Sequence, residues 1–309
     1  TTVGSNEIDI VTDDTLANIC TESGAGDNIA ICNIDWLNSI DEITQTNTAT
    51  SNDLTDAGLV LDNTVDTLQG VDLTNDCDES DAGDNNANCF NDIENLIGPV
   101  SQSNDVSGDT PNDIHVNNFG ATQLGAALND CNETGDGNNE ANCQNSVSIS
   151  NDIESVTQLN DLNDDADSAA QTNNATSFQV LDLVNDCDES DDGINDPDNC
   201  EVTAVDNLFG PLTQTNTATG SPLADISQNN QIAGSDGLAP GIIQLITSTN
   251  DCDESGSGAN LADCEINDLD NEFDGVLTQD NEVIGADDAT AISQDNGAAI
   301  LQAIVAIND

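Results

Sequence analysis

Ten cysteines at a recurring interval constrain this chain more than any other feature. They fall in five pairs, Cys20/Cys32, Cys77/Cys89, Cys131/Cys143, Cys187/Cys200 and Cys252/Cys264, spaced 12 residues apart within each pair, or 13 in the fourth. From pair to pair the first Cys advances 57, 54, 56 and 65 residues. Self-similarity at such a period points to one supersecondary unit used repeatedly. The repetition extends beyond cysteine. Glu stands two residues after each first Cys (Glu22, Glu79, Glu133, Glu189, Glu254), and Gly stands six after (Gly26, Gly83, Gly137, Gly193, Gly258). An apolar-[Thr/Ser]-Gln-x-Asn unit follows each pair, centred on Gln45, Gln102, Gln158, Gln214 and Gln279. A further Gln lies eight residues before each next pair, at Gln69, Gln123, Gln179 and Gln244; its fifth copy is Gln302. That copy runs into Asn308-Asp309, one position short of where a sixth Cys would fall, which reads as a seam between repeats.

Around these units the pattern has period two. Ile43, Gln45, Asn47 and Ala49 share a face, as do Leu212, Gln214, Asn216 and Ala218, and Leu277, Gln279, Asn281 and Val283. A second such strand reads Ile226, Gln228, Asn230, Ile232, and a third Gln179, Leu181, Leu183, Asn185. Strict alternation argues for strands, and the Gly, Asn, Asp and Ser clusters between them supply turns. The apolar stretch 298–307 suits a buried strand, with a short helix as the other reading. A buried amide without partners is costly. If the same amide recurs in register on stacked strands, each bonds the next, so the repeated Gln and Asn predict amide ladders.

The segments ITQTNTAT at 43–50 and LTQTNTAT at 212–219 resemble curlin repeats, the units of curli fibres. That resemblance implies stacked strands carrying spaced Gln and Asn, and assembly outside the cell. Curlin repeats are far shorter and lack a Cys-paired loop, so it bears on the strands and not on the topology.

Composition narrows the functions. The chain has 309 residues, 61 of them acidic, with no Lys or Arg and one His, for a formal charge of −61. Nucleic-acid binding needs Lys or Arg against phosphate, and so does adhesion to anionic lipid heads. Phosphate chemistry with a P-loop Lys or an Arg clamp is excluded on the same ground. Carboxylate pairs are everywhere and single out no site, so no enzymatic activity is expected. Low aromatic content and high charge favour disorder unless staples, cations or neighbouring subunits compensate. Ten paired Cys point to an oxidising compartment. No apolar run is long enough to span a membrane, and Thr1 reads as a mature end left by removal of an export signal.

Pairing within each repeat is the economical connectivity, one of many that ten Cys allow. The fourth loop reads CDESDDGINDPDNC (187–200). It places oxygens at Asp188, Ser190, Asp192 and Asp196 around Gly193, a spacing that suits calcium. It resembles the aspartate-rich calcium repeats of thrombospondin type 3. The third loop offers Asn132, Thr134, Asp136 and Glu140 around Gly137. The other reading is an acidic, disulfide-closed turn in which the shared Glu accepts backbone N–H bonds. His115 is expected in a turn or at the surface, and Trp36 and the five Phe in local cores. Asn132-Glu-Thr and Asn174-Ala-Thr are glycosylation sequons, so glycans are possible partners.

These readings predict an all-β fold of five tandem disulfide-closed repeats of about 57 residues, either a β-solenoid or a chain of small β modules. Counted from the cysteines, a strand segment at 1–19 precedes repeats at 20–76, 77–130, 131–186, 187–251 and 252–309. The expected function is a structural subunit of a self-assembling extracellular prokaryotic fibre, joined head to tail by strand pairing. The alternative is a calcium-binding adhesin or surface-layer module that does not polymerise. Copies of itself and divalent cations, calcium foremost, are the expected partners.

Overall fold

The computed structural model describes residues 2–23, 27–51, 58–80, 83–108, 112–135, 138–145, 149–163, 168–190, 194–195, 200–220, 225–233, 241–255, 259–260, 264–285 and 291–308. Among them no residue is helical; the apolar stretch near the end is strand at 300–307, but exposed at the edge of its sheet and not buried as expected. The first coil of chain holds β1 (Thr2–Ser23), β2 (Asn28–Ile40) and β3 (Ile43–Ser51). The second holds β4 (Leu59–Ser80), β5 (Asn85–Ile97) and β6 (Val100–Gly108). The third holds β7 (Asn112–Thr134), β8 (Asn138–Asn145), β9 (Ile149–Ile153) and β10 (Val156–Asn163). The fourth holds β11 (Ser168–Ser190), β12 (Ile194–Asn195), β13 (Cys200–Val202), β14 (Val205–Phe209) and β15 (Leu212–Thr219). The fifth holds β16 (Asp225–Ile232), β17 (Ile242–Ser255), β18 (Ala259–Asn260), β19 (Cys264–Ile266), β20 (Leu269–Phe273) and β21 (Leu277–Ile284). Two further strands, β22 (Ala291–Ala298) and β23 (Ile300–Asn308), begin a sixth.

Each coil adds one rung to three parallel sheets. Sheet A stacks β1, β4, β7 and β11, then β16 with β17, then β22 with β23; sheet C runs β3-β6-β10-β15-β21; sheet B takes the segments between. The pairing offsets reproduce the cysteine interval, Cys20 opposite Cys77, Cys77 opposite Cys131, Cys131 opposite Cys187 and Cys187 opposite Cys252. The chain is therefore a β-solenoid and not a string of separate modules. The longer fourth interval has a local cause. Asn174 and Ser177, three apart in β11, pair with Gln231 and Ile242, eleven apart, so the chain carries eight extra residues between β16 and β17.

Strand lengths set the cross-section. A sheet-A strand has 22 residues in β1, whereas β2 has 13 and β3 has 9. Sheets B and C together match sheet A, and the coil closes as two layers, A against B plus C, with the disulfide loop at one end. The corner between B and C is also in register: the Gly98 amide donates to the Ile40 carbonyl (2.8 Å), Glu154 to Ile97 (2.9 Å), and Gly210 to Ile153 (2.8 Å). A side chain at Gly210 would overlap the Glu154 carbonyl, so close coil-on-coil approach requires glycine there.

Inward positions alternate with outward ones, as period two demands. The apolar interior is divided into separate clusters. One gathers Val65, Phe119, Ile153 and Phe209 at the middle, a second Leu73, Ile93, Leu181 and Leu183, and a third Leu61, Leu162 and Ile226. Phe209 stacks on Phe273 at 5.5 Å between centroids. Phe178 and Phe90 depart from the core expectation: both take outward positions, Phe178 with 40% of its surface exposed.

Candidate functional site

All five cysteine pairs close within their own coil, as 20–32, 77–89, 131–143, 187–200 and 252–264. No thiol is left free. The cysteines stack into a buried column. Each bond closes a short loop, worth roughly 3 kcal/mol in the chain-entropy picture. Five disulfides place the chain in an oxidising, non-cytoplasmic environment.

Between the apolar clusters run the amide ladders. In sheet C, Gln102 Nε2 donates to Gln45 Oε1, Gln158 to Gln102 and Gln214 to Gln158, each at 2.9 Å, and Gln279 to Gln214 at 2.8 Å. In sheet A the same chain of bonds links Gln123 to Gln69, Gln179 to Gln123, Gln244 to Gln179 and Gln302 to Gln244. Asn ladders run with opposite polarity. Asn6 donates to Asn63 (2.9 Å), Asn63 to Asn117 (3.0 Å), Asn117 to Asn173 (2.9 Å) and Asn173 to Asn230 (2.9 Å).

A neighbouring column on sheet C, from Asn47 through Asn104, Asn160 and Asn216 to Asn281, is laced to this one. Asn63 donates to Asn104 and Asn117 to Asn160, both at 3.0 Å. Near the disulfides, Asn75, Asn91, Asn129, Asn145 and Asn185 form a second laced pair of columns. Because the strands repeat at about 4.8 Å, an amide of fixed length reaches its copy above or below with donor and acceptor both used. This is how a chain with few large apolar residues fills much of its interior with amides that bond one another.

His115 corrects the surface expectation. It is fully buried on β7, at the ladder position taken by Gln171, Gln228 and Gln294 in later coils. Neither ring nitrogen has a partner, and burial pushes its pKa down to about 4. The ladder Gln294→Gln228→Gln171 stops there.

In the second and third coils the repeated Glu lies inward beside the cysteines. Glu79 and Glu133 are buried; Glu79 Oε2 accepts the Asn86 amide (3.1 Å), and Glu133 Oε1 accepts the Ala87 amide. These bonds tie the loop to its own coil and to the coil before, the role foreseen as an alternative to metal binding. Burial raises the Glu79 pKa above its ordinary value.

Outward, the same end of sheet A carries carboxylates in register. Asp76, Asp130, Asp186 and Asp251 form one column, and Asp78, Asp188 and Asp253 flank it with Asn132 between. Burial, then Asp188, Asp130, Asp251 and Asp253, pushes Asp186 up to about 6. Asp152 on sheet B also rises to about 6, through burial and then Glu154 and Glu94.

Of the proposed calcium ligands, Asp188, Ser190, Asn132 and Thr134 lie on adjacent strands of sheet A, Asp188 opposite Asn132 and Ser190 opposite Thr134. Asn132 donates to Asp130 at 2.7 Å. Asp136, Asp192 and Asp196 lie outside the described residues, as does the side chain of Glu140. Among the described residues, the groups of three ligand atoms within reach of one ion are all cysteines held in disulfides.

No protein-family model, curated protein or solved structure matches this chain.

Proposed function

We propose that the chain is a structural subunit of a self-assembling extracellular fibre of prokaryotic type, its copies joined head to tail by strand pairing. The observation that carries this reading is the one-directional ladder system. Every Gln column donates toward the first coil and every laced Asn column toward the last. One end of the solenoid therefore offers what the other lacks, and head-to-tail contacts make open filaments rather than rings. The register supports it. Asn6 and Asn296 occupy one column, and so do Asn18 and Asn308, at the same offset, so β1 of one copy and β22 with β23 of another present matching amides. In β23, Ile300, Leu301, Ile304, Val305 and Ile307 are each 40–51% exposed. A parallel strand added there would cover them and continue the backbone pairing.

The stacked carboxylates favour a second reading, a calcium-binding adhesin or surface-layer module. With no Lys or Arg, only protons or bound cations can relieve columns such as Asp186 and its neighbours. Negative-stain electron microscopy of oxidised protein with calcium or with chelator separates the two. Filaments under both conditions support the fibre; single particles that unfold on chelation support the adhesin.

A further inference from the structure

The outer face of sheet A is chemically divided. Between the outward columns headed by Asp66 and by Asp76 lie four others. These run Leu68, Thr122, Phe178, Ile243, Leu301; then Gly70, Leu124, Val180, Leu245, Ala303; then Asp72, Ala126, Asp182, Thr247, Val305; and last Thr74, Leu128, Val184, Thr249, Ile307. On β1 the same columns begin with Val11, Asp13, Thr15 and Ala17, so the charged members are Asp13, Asp72 and Asp182, and Asp182 accepts a bond from Thr247 Oγ1 at 2.7 Å. Leu124 is 37% exposed, Phe178 40% and Val305 48%. Sheet B's outer face carries Asp92, Glu94, Asp152, Glu201, Asp206 and Glu272, with exposed Ile29, Ile31 and Leu37 on its first rung.

We propose that this face of sheet A pairs two copies of the chain laterally, sheet against sheet. The partner follows from charge. A cationic partner would be drawn to the acidic faces, whereas a second copy at −61 can approach closely only where carboxylates are sparse. Size agrees. Four columns about 6.8 Å apart on five rungs about 4.8 Å apart give roughly 650 Å² per copy before side-chain relief is counted, near the ~800 Å² per partner of stable interfaces. The face also complements itself. Phe178 lines a shallow groove of about 420 Å³ with Leu68, Gly120, Thr122 and Ile243, and Asp9 and Asp66 close its acidic side, so a two-fold contact can seat an aromatic knob of each copy against the apolar side of the other. An apolar patch rimmed by charge is the usual mark of such a contact.

The test uses full-length oxidised protein carrying Val180→Cys, treated with a short bismaleimide in 0.5 M NaCl to screen the acidic rim. Position 180 lies mid-solenoid, where an end-to-end contact cannot bring two copies together. The expected result is a cross-linked dimer, lost when Leu124→Asp is added, and absent from Ile31→Cys on the outer face of β2. Circular dichroism verifies folding, and Thr122→Cys provides a second reporter on the same face. No cross-link at 180 or 122, or equal yield from position 31, overturns the proposal. Filament formation is scored separately, so lateral pairing and the fibre reading can fail independently.

Discussion

Replacing Gln158 by Leu interrupts the sheet-C ladder at its middle rung. Gln158 is fully buried, and its Nε2 donates to Gln102 Oε1 (2.9 Å), the Asn174 carbonyl (2.8 Å) and the Asn117 carbonyl (3.2 Å). Its Oε1 accepts from Gln214 Nε2 (2.9 Å). Leu fills similar space but leaves Gln102 Oε1 without its donor and Gln214 Nε2 with only the Gln231 carbonyl (3.1 Å). A buried polar atom without a partner costs about 1–3 kcal/mol. Two such losses, less a modest gain from burying an apolar group, come to about 3 kcal/mol. Gln279→Leu also removes a ladder bond, at 2.8 Å, but at a half-buried position within reach of water, so about 1 kcal/mol is expected. A solenoid can unfold coil by coil, so the assay is native-state hydrogen exchange resolved by peptide. Gln158→Leu should speed exchange in β6, β10 and β15 by about a hundredfold, at roughly 1.4 kcal/mol per tenfold. Gln279→Leu should give less than tenfold, confined to β21. Equal effects at the two positions, or no effect at Gln158, would refute the claim that the ladder holds the interior.

His115→Gln should stabilise the chain by about 1–2 kcal/mol in chemical denaturation, because it replaces two orphaned nitrogens and extends the ladder from Gln171 by one rung. The raised carboxyls and the lowered histidine act oppositely with pH. Asp186 and Asp152 bind protons more tightly folded than unfolded, so their contribution is fullest below about pH 4 and is lost as pH rises through about 6. His115, with a folded pKa of about 4, contributes above its unfolded value of 6.5 and loses that as pH falls through 4. Melting at low salt should therefore show stability falling between about pH 4 and 6, with the opposite trend of His115 offsetting part of the fall. Asp186→Asn should remove part of that slope, worth about 1 kcal/mol after allowance for solvent screening, and 0.5 M NaCl should flatten the remainder. Cys131→Ser with Cys143→Ser should cost about 3 kcal/mol and expose the loop between β7 and β8 to protease.

Much of the fold can be read from residue order, because in-register stacking makes spatial neighbours of residues one repeat apart. Gln45, Gln102, Gln158, Gln214 and Gln279 are one column in space because they are one column in the repeat. The disulfides and strand faces follow in the same way. What alternation does not carry is which face packs on which. Only the strand lengths, 22 residues against 13 and 9, show that A closes on B plus C. His115 was missed because its column begins with Gly4 and Leu61. Aligned on Gln171, Gln228 and Gln294 instead, it reads as an interior position. The apolar outer face of sheet A hid in runs such as Val180-Leu181-Asp182-Leu183-Val184, where both parities are apolar and period two gives no outward signal.

The central claim is that this ladder-built solenoid propagates from copy to copy. Cryo-electron microscopy of the oxidised full-length chain tests it most directly. The account predicts filaments in which strands about 4.8 Å apart stack along the axis without interruption through the junctions, with β1 of one copy meeting β23 of the next. Discrete particles of one copy, or of one laterally joined pair, at all concentrations would contradict it.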